Sequence, residues 1–297
     1  MNEQVESERG FEPNRSRLFG LAYRMLGSRA DAEDVVQEAY VRWHQSDRSA
    51  IRNAEAWLVT TATRLAIDRL RALKTEREAY VGPWLPEPMT RDTPPPPDRH
   101  VELASDLSIA FLVLLERLGP EERAAFLLHD VFDFSYPEIA GVLEKSEAAT
   151  RQIVHRARTR VRSERQRFQP SESDRADLLR RFRAAVDARD EQALLSLFAP
   201  EAVWTADGGG RTAASPRPIA GAERIVRLVL GLSARLPRET TDIEIIEVNG
   251  ETGLRFRTNG QVIAVLSILS DGQRIHAVYG VVNPDKLVPW KGDAGIM

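Results

Sequence analysis

The chain has 297 residues, 42% of them hydrophobic, which is enough for two or three cored domains rather than one. With no cysteine, disulfides, thiolate metal sites and thiol redox sensing are excluded, and no 18-residue apolar run argues for a membrane span. The formal net charge of −3 gives no bulk nucleic-acid signature, but charge is segregated: acidic residues gather at Asp31, Glu33, Asp34 and Glu38, and arginines between Arg151 and Arg167. The polar N-terminus has no signal-peptide core, so a cytoplasmic location is expected.

Two breaks divide the chain. A stretch at 82–98 carries Pro83, Pro86, Pro88 and the run from Pro94 to Pro97, which reads as a semi-rigid extended tether. A polar stretch at 168–174 reads as a plain linker. Before the first break the pattern is helical only. Gly27 suits a helix C-terminus, and Ser28 with Asp31 a following cap. Val36, Ala39, Tyr40 and Trp43 recur at helical spacing, with Asp34, Gln37, Glu38 and Arg42 on the other side. A third helix, about 54–77, sets Trp57, Ala62, Leu65 and Leu70 among Arg64, Asp68, Arg69, Arg71 and Lys74. The acidic cluster, taken alone, reads as a solvated face.

Between the breaks the pattern is again helical. Ser135 with Glu138 forms a capping-box pattern and Pro137 falls in the first turn. After a turn at Lys145-Ser146, a second helix starts at Glu147. Ala149, Ile153, Ala157 and Val161 form its apolar stripe, and Arg151, His155, Arg158 and Arg162 its outer face. A tight turn before a basic second helix is a helix-turn-helix unit. Glu147, Ala148, Arg151 and Gln152, near the helix start, fall where base edges are read, and Thr150, His155, Arg156, Arg158 and Arg162 of the same helix complete the expected DNA-binding set. Arg158 and Arg162 suit phosphates.

After the second break the pattern changes to helices at about 177–186 and 193–198, a strand at 202–206, a turn at Gly208-Gly209-Gly210 and a helix at 222–236. Four apolar runs follow, separated by Asn249-Gly250, Asn259-Gly260 and Asp271-Gly272, which are strong hairpin signals. This is an α+β domain ending in an antiparallel meander.

The run from Asp31 to Trp43 (DAEDVVQEAYVRW) resembles the polymerase-clamp-binding segment of extracytoplasmic-function (ECF) sigma factors. Residues 56–71 (AWLVTTATRLAIDRLR) resemble their −10 recognition helix, and SYPEIAGVLE from Ser135 with SEAATRQ from Ser146 resembles their −35 helix-turn-helix. Trp84-Leu85-Pro86-Glu87-Pro88, Asp207-Gly208-Gly209-Gly210-Arg211 and Asn283-Pro284-Asp285-Lys286-Leu287 are similar to signatures of the SigJ-like subgroup. Only Arg211 departs from the usual pattern, which has lysine there.

The resemblance implies two all-α sigma modules followed by a cone-shaped α+β domain of the SnoaL/NTF2-like type. The expected domains are region 2 at 11–80, a proline-rich linker at 81–102, region 4 at 103–167 and the SnoaL-like domain at 175–290. Asp31, Asp34, Gln37, Glu38 and Arg42 would face the clamp of core RNA polymerase. Arg64, Asp68, Arg69, Arg71 and Lys74 would meet the −10 element of promoter DNA. The last three motifs, in the linker and the C-terminal domain, would form an interdomain regulatory contact, open to an unidentified small-molecule or protein regulator.

The rival reading is a one-component helix-turn-helix regulator with a ligand-binding or catalytic SnoaL-like domain, in which Asp207, Arg255, Arg257 and His276 line the cone. His276 reads better as a strand histidine, and the five histidines have no metal spacing. No enzymatic activity, metal, cofactor or membrane partner is expected.

Overall fold

The computed structural model describes residues 2–90, 107–165 and 170–292, with side chains described for 10–90, 107–161 and 170–290. The expected features at 91–106, the run from Pro94 to Pro97 among them, lie outside the described residues, as does the side chain of Arg162. The described chain forms two compact units, one from 2–78 with 112–161 and the other from 79–90, 108–111 and 170–292.

The first unit is entirely helical. α1 (Asn2–Leu26), α2 (Arg29–Gln45) and α3 (Ala54–Glu78) pack on one another, and α4 (Ile109–Leu115), α5 (Pro120–Asp130), α6 (Tyr136–Leu143) and α7 (Glu147–Arg165) follow, with α4 up to Phe111 and α7 from Ser163 counted in the second unit. Gly27 takes φ 67° after α1, and the Ser28 hydroxyl accepts the Asp31 N–H at 3.3 Å to start α2. Val35, Val36, Ala39 and Trp43 are buried, as the period of α2 requires.

Before α6, the Glu138 carboxylate accepts both the Ser135 N–H (2.8 Å) and its hydroxyl (2.6 Å), bonds that hold that carboxyl below its usual range. Ile139, Ala140 and Val142 of α6 are buried, as are Ile153, Val154, Ala157 and Val161 of α7, the apolar stripes expected of a helix-turn-helix.

α5 packs on both α1 and α3. At that seam Arg123, 2% exposed, donates to the Met25 carbonyl at 2.5 Å and to Glu116 at 2.8 Å, and Arg77 pairs with the same Glu116. A guanidinium spreads its donors over a fork, so one buried arginine closes the end of α1 and fixes α5 against it.

In the second unit α8 (Glu172–Ala188), α9 (Glu191–Leu197) and α10 (Ala222–Arg235) lie against a six-stranded sheet. The strands are β1 (Phe198–Asp207), β2 (Ile219–Ala220), β3 (Thr241–Val248), β4 (Glu251–Thr258), β5 (Gln261–Ser270) and β6 (Ile275–Val281), in the order β2-β1-β6-β5-β4-β3. Only β1 with β6 is parallel. The pair Asn249-Gly250 has φ of 54° and 83°, and Asn259-Gly260 has 52° and 75°, the left-handed geometry of tight hairpins.

Trp204, Leu254, Phe256, Leu266, Ile268 and Val278 point inward to the helices, and alternation sends Asp207, Arg255, Val265 and Val281 to the outer face. The helix–strand–helix–meander order is the expected one. β1 begins earlier than the expected 202–206, and the two-residue β2 is too short to leave a periodic signal.

Replacing Arg123 with Met should lower the stability of the helical unit by about 2–3 kcal/mol, because the Met25 carbonyl and one Glu116 oxygen lose a charged donor. Urea unfolding followed by far-ultraviolet circular dichroism measures this.

Candidate functional site

α2 presents Asp34, Gln37, Glu38 and Arg42 to solvent as an exposed acidic face, with Glu38 and Arg42 paired at 2.8 Å. Asp31 stands apart from them. It is half-buried, and its carboxylate accepts from Arg69 of α3 at 2.7 Å. Two residues assigned by sequence to different partners therefore hold each other, which locks α2 to α3.

The remaining basic residues of α3 divide. Arg71 and Lys74 are exposed, as is the acidic Asp68, but Arg71 reaches Glu121 of α5 at 3.0 Å. Arg64 donates to the carbonyls of Gly141 (2.9 Å) and Val142 (3.1 Å) at the end of α6 and pairs with Glu144 at 3.1 Å. Those carbonyls are unpaired acceptors at a helix C-terminus, where a guanidinium is favoured. The basic side of α3 is thus partly covered by the helix-turn-helix. Trp57 is half-buried, its ring 5.5 Å from that of Trp43.

On α7, Glu147, Ala148, Arg151, Gln152, His155 and Arg156 are all exposed on one side. Arg151 lies over the Tyr136 ring at 5.2 Å and pairs with Glu147 at 3.0 Å, which orients it beside the turn. Thr150, expected among the DNA-binding residues, is completely buried, and its hydroxyl donates to the Ser146 carbonyl at 3.0 Å, so its side chain packs within the helical unit. Arg158 makes a two-oxygen contact with Asp130 at 2.7 and 2.8 Å, bracing α7 against α5.

In the second unit the segment after α3 lies on the outer face of the sheet. Asp207, at the end of β1 and fully buried, collects three donors: the Tyr80 hydroxyl (2.6 Å), the Leu85 N–H (2.9 Å) and the Lys286 ammonium (2.7 Å). Lys286, 7% exposed, also donates to the Leu85 carbonyl and stands 4.1 Å from the centre of the Trp84 ring. Burial pushes the Tyr80 hydroxyl well above the ordinary tyrosine range, and its bond to Asp207 adds to that.

Asn283 donates to the Tyr80 oxygen at 2.9 Å. Gly209, at φ 58°, lies so near that a Cβ there would stand 2.2 Å from the Asn283 amide nitrogen, so only glycine fits. Farther along, the Asn249 side chain accepts the Met89 N–H (2.8 Å), its N–H donates to the Met89 carbonyl (3.1 Å), and the Trp290 indole donates to Pro88 (3.1 Å). Leu85, Pro86, Pro88 and Met89 are buried.

The three motifs around Trp84, Asp207 and Asn283 named from sequence meet here, all within the second unit. Sequence reasoning missed Tyr80, Met89, Asn249 and Trp290. Asn249 was legible only as a turn residue, and nothing local marks its side chain as a clamp.

A cavity of about 690 Å³ opens between α8, α10 and the inner sheet face. None of Asp207, Arg255, Arg257 and His276 lines it. Arg255 and Arg257 pair with Glu244 on the outer face, and His276 bonds Asp271 at 2.8 Å. Among the described residues no acidic or histidine cluster forms a metal site, and no helix is long and apolar enough to cross a membrane.

The helical unit thus combines a three-helix module and a helix-turn-helix of the DNA-binding kind, each with an exposed charged face. The family models agree: residues 11–76 match Sigma-70 region 2 and residues 108–161 match Sigma-70, region 4. The chain belongs to the ECF RNA polymerase sigma factors. It is 38% identical to the ECF RNA polymerase sigma factor SigJ of Mycobacterium tuberculosis over 293 residues, covering 93% of this chain and 91% of that protein. A probable ECF RNA polymerase sigma factor SigI of the same species is 28% identical over 95% of each chain. The crystal structure of Mycobacterium tuberculosis SigJ superposes with a TM-score of 0.73 at 35% identity, covering 93% of this chain and 96% of that one.

Lys286→Met should cost about 3 kcal/mol, because the Asp207 carboxylate stays buried without its counter-ion. The double variant Asp207→Leu, Lys286→Met should recover most of that loss, as a thermal-denaturation double-mutant cycle on the full chain would show.

Proposed function

We propose that this sigma factor docks the exposed acidic face of α2 on the clamp of core RNA polymerase, reads the −35 element with the start of α7 and meets the −10 element with α3. In this reading the C-terminal domain controls promoter engagement in cis through the segment it holds. The observation that carries the control is the fixation of residues 80–89 by Asp207, Asn249, Asn283, Lys286 and Trp290. That segment belongs to the only covalent path between the −10 and −35 modules, so holding or releasing it changes the chain available to span them.

A closed arrangement of the helical unit supports the same reading. Arg64 and Arg71, two cations proposed for promoter phosphates, are engaged by Gly141, Val142, Glu144 and Glu121 instead. DNA has to displace those contacts, so the free protein starts from a state biased against promoter binding. In this reading the C-terminal domain serves as a regulator; its cavity lining is mostly apolar, with the hydroxyls of Thr212, Ser215, Ser233 and Thr241 among it and charged side chains at the exposed Asp187, Arg189, Arg235 and Arg238.

In vitro transcription with core enzyme tests the whole reading. Asp34→Lys with Glu38→Lys should abolish core binding in a pull-down while circular dichroism stays native, and unchanged binding would return the acidic face to a merely solvated one. Arg151→Ala should cost about 1–3 kcal/mol on the cognate −35 sequence and relax preference there, where equal loss on all sequences counts against base reading. Leu85→Ala, which empties a buried site in the held segment, should change transcription at constant core affinity.

A further inference from the structure

The cavity of the C-terminal domain has the size of an ordinary small-molecule site, about 300–1,000 Å³, and no role in the assignments above. Phe182 and Leu228 from the helices face Trp204, Ile243, Phe256 and Leu266 from the sheet across it. Water inside finds few polar partners, so an apolar body that displaces it gains the transfer free energy of its own surface. At the mouth the chemistry reverses. Arg189, Arg235 and Arg238 are exposed there against one carboxylate, that of Asp187.

Two of those arginines are held in place by helix ends: Arg189 donates to the Ser233 carbonyl at 3.4 Å and Arg238 to the Asp187 carbonyl at 3.3 Å. Each bond uses one of a guanidinium's five N–H donors and leaves the others to face a ligand. Leu232, 42% exposed at the same rim, extends the apolar wall outward.

The cavity also shares its walls with the contact that holds residues 80–89. Ala206 and Val282 line the cavity, and their chain neighbours Asp207 and Asn283 bind Tyr80. The loop leaving β1 does both jobs in sequence. Gly209 abuts Tyr80 and Asn283, Gly210 abuts Val81, and Thr212, Ala213, Ala214 and Ser215 then form part of the cavity wall. The turn is closed by Arg211 and Thr212 N–H donors on the Gly208 carbonyl at 2.9 and 3.2 Å, so a shift at the wall reaches the glycines within a few bonds.

We propose that the cavity binds an amphipathic organic acid, with its apolar body between sheet and helices and its carboxylate on the rim arginines, and that loop 208–215 carries the occupancy to the held segment. The second half rests on the regulatory reading above, but neither measurement below involves polymerase or promoter, so its failure is separable from failure of that reading.

The test uses the full chain and anilinonaphthalene sulfonate as a fluorescent occupant, displaced by dodecanoate, dodecanol or dodecyltrimethylammonium below their micellar concentrations. Dodecanoate should displace the probe at about tenfold lower concentration than dodecanol, with the cation weakest. Arg235→Glu with Arg238→Glu, both surface changes, should erase the preference for the acid. Ala264→Phe, which fills the cavity, should abolish displaceable binding with the circular dichroism spectrum unchanged. Hydrogen exchange of residues 80–89 should change on adding dodecanoate.

Equal displacement by acid and alcohol in the wild type, no displacement at all, or unaltered binding in a folded Ala264→Phe protein would each overturn the site as proposed. Binding with no change in exchange at 80–89 would overturn the role of the loop.

Discussion

A single buried carboxylate organises the C-terminal half of this protein. Asp207 ends β1 with no exposure to solvent, and a charge so placed persists only if counter-charge and donors are brought to it. Lys286 supplies the charge, and Tyr80 and the Leu85 N–H complete its shell. Two of these partners come from a segment more than a hundred residues away, so the domain's own electrostatics require that segment to be bound. Buried ion pairs contribute little net stability against an apolar replacement, but they discriminate sharply against misplacement. Here the discrimination is one of register: only one alignment of residues 80–89 brings Tyr80, Leu85 and Met89 onto their partners together.

The helical unit uses charge in the opposite way. Its ion pairs lie mostly at half-exposed positions, where each contributes little to stability. Arg64 on the end of α6 and Arg71 on Glu121 are such contacts, made by exposed guanidinium groups that cost little to release. The exceptions are Arg123 and Arg158, which are spent on buried or braced contacts and belong to the scaffold.

Amino-acid order alone determined the elements and which face each helix exposes. Period 3.6 placed Val36, Ala39 and Trp43 in a core and left Asp34, Gln37 and Glu38 outside, because a helix face is fixed by spacing. Asn-Gly pairs gave two of the hairpins, because their φ preferences are local. The three motifs around Trp84, Asp207 and Asn283 were recognisable as a group. Only the tertiary structure decided which residues join across distance: that Asp31 is spent on Arg69, that Thr150 faces inward, that Arg64 caps α6, and that Tyr80, Asn249 and Trp290 complete the clamp. The cavity, too, exists only once α8 and α10 stand off from the sheet. The reason is physical. Backbone preference and periodicity are properties of neighbouring residues, whereas the pairing of a buried charge depends on which groups the whole packed chain brings within bonding distance.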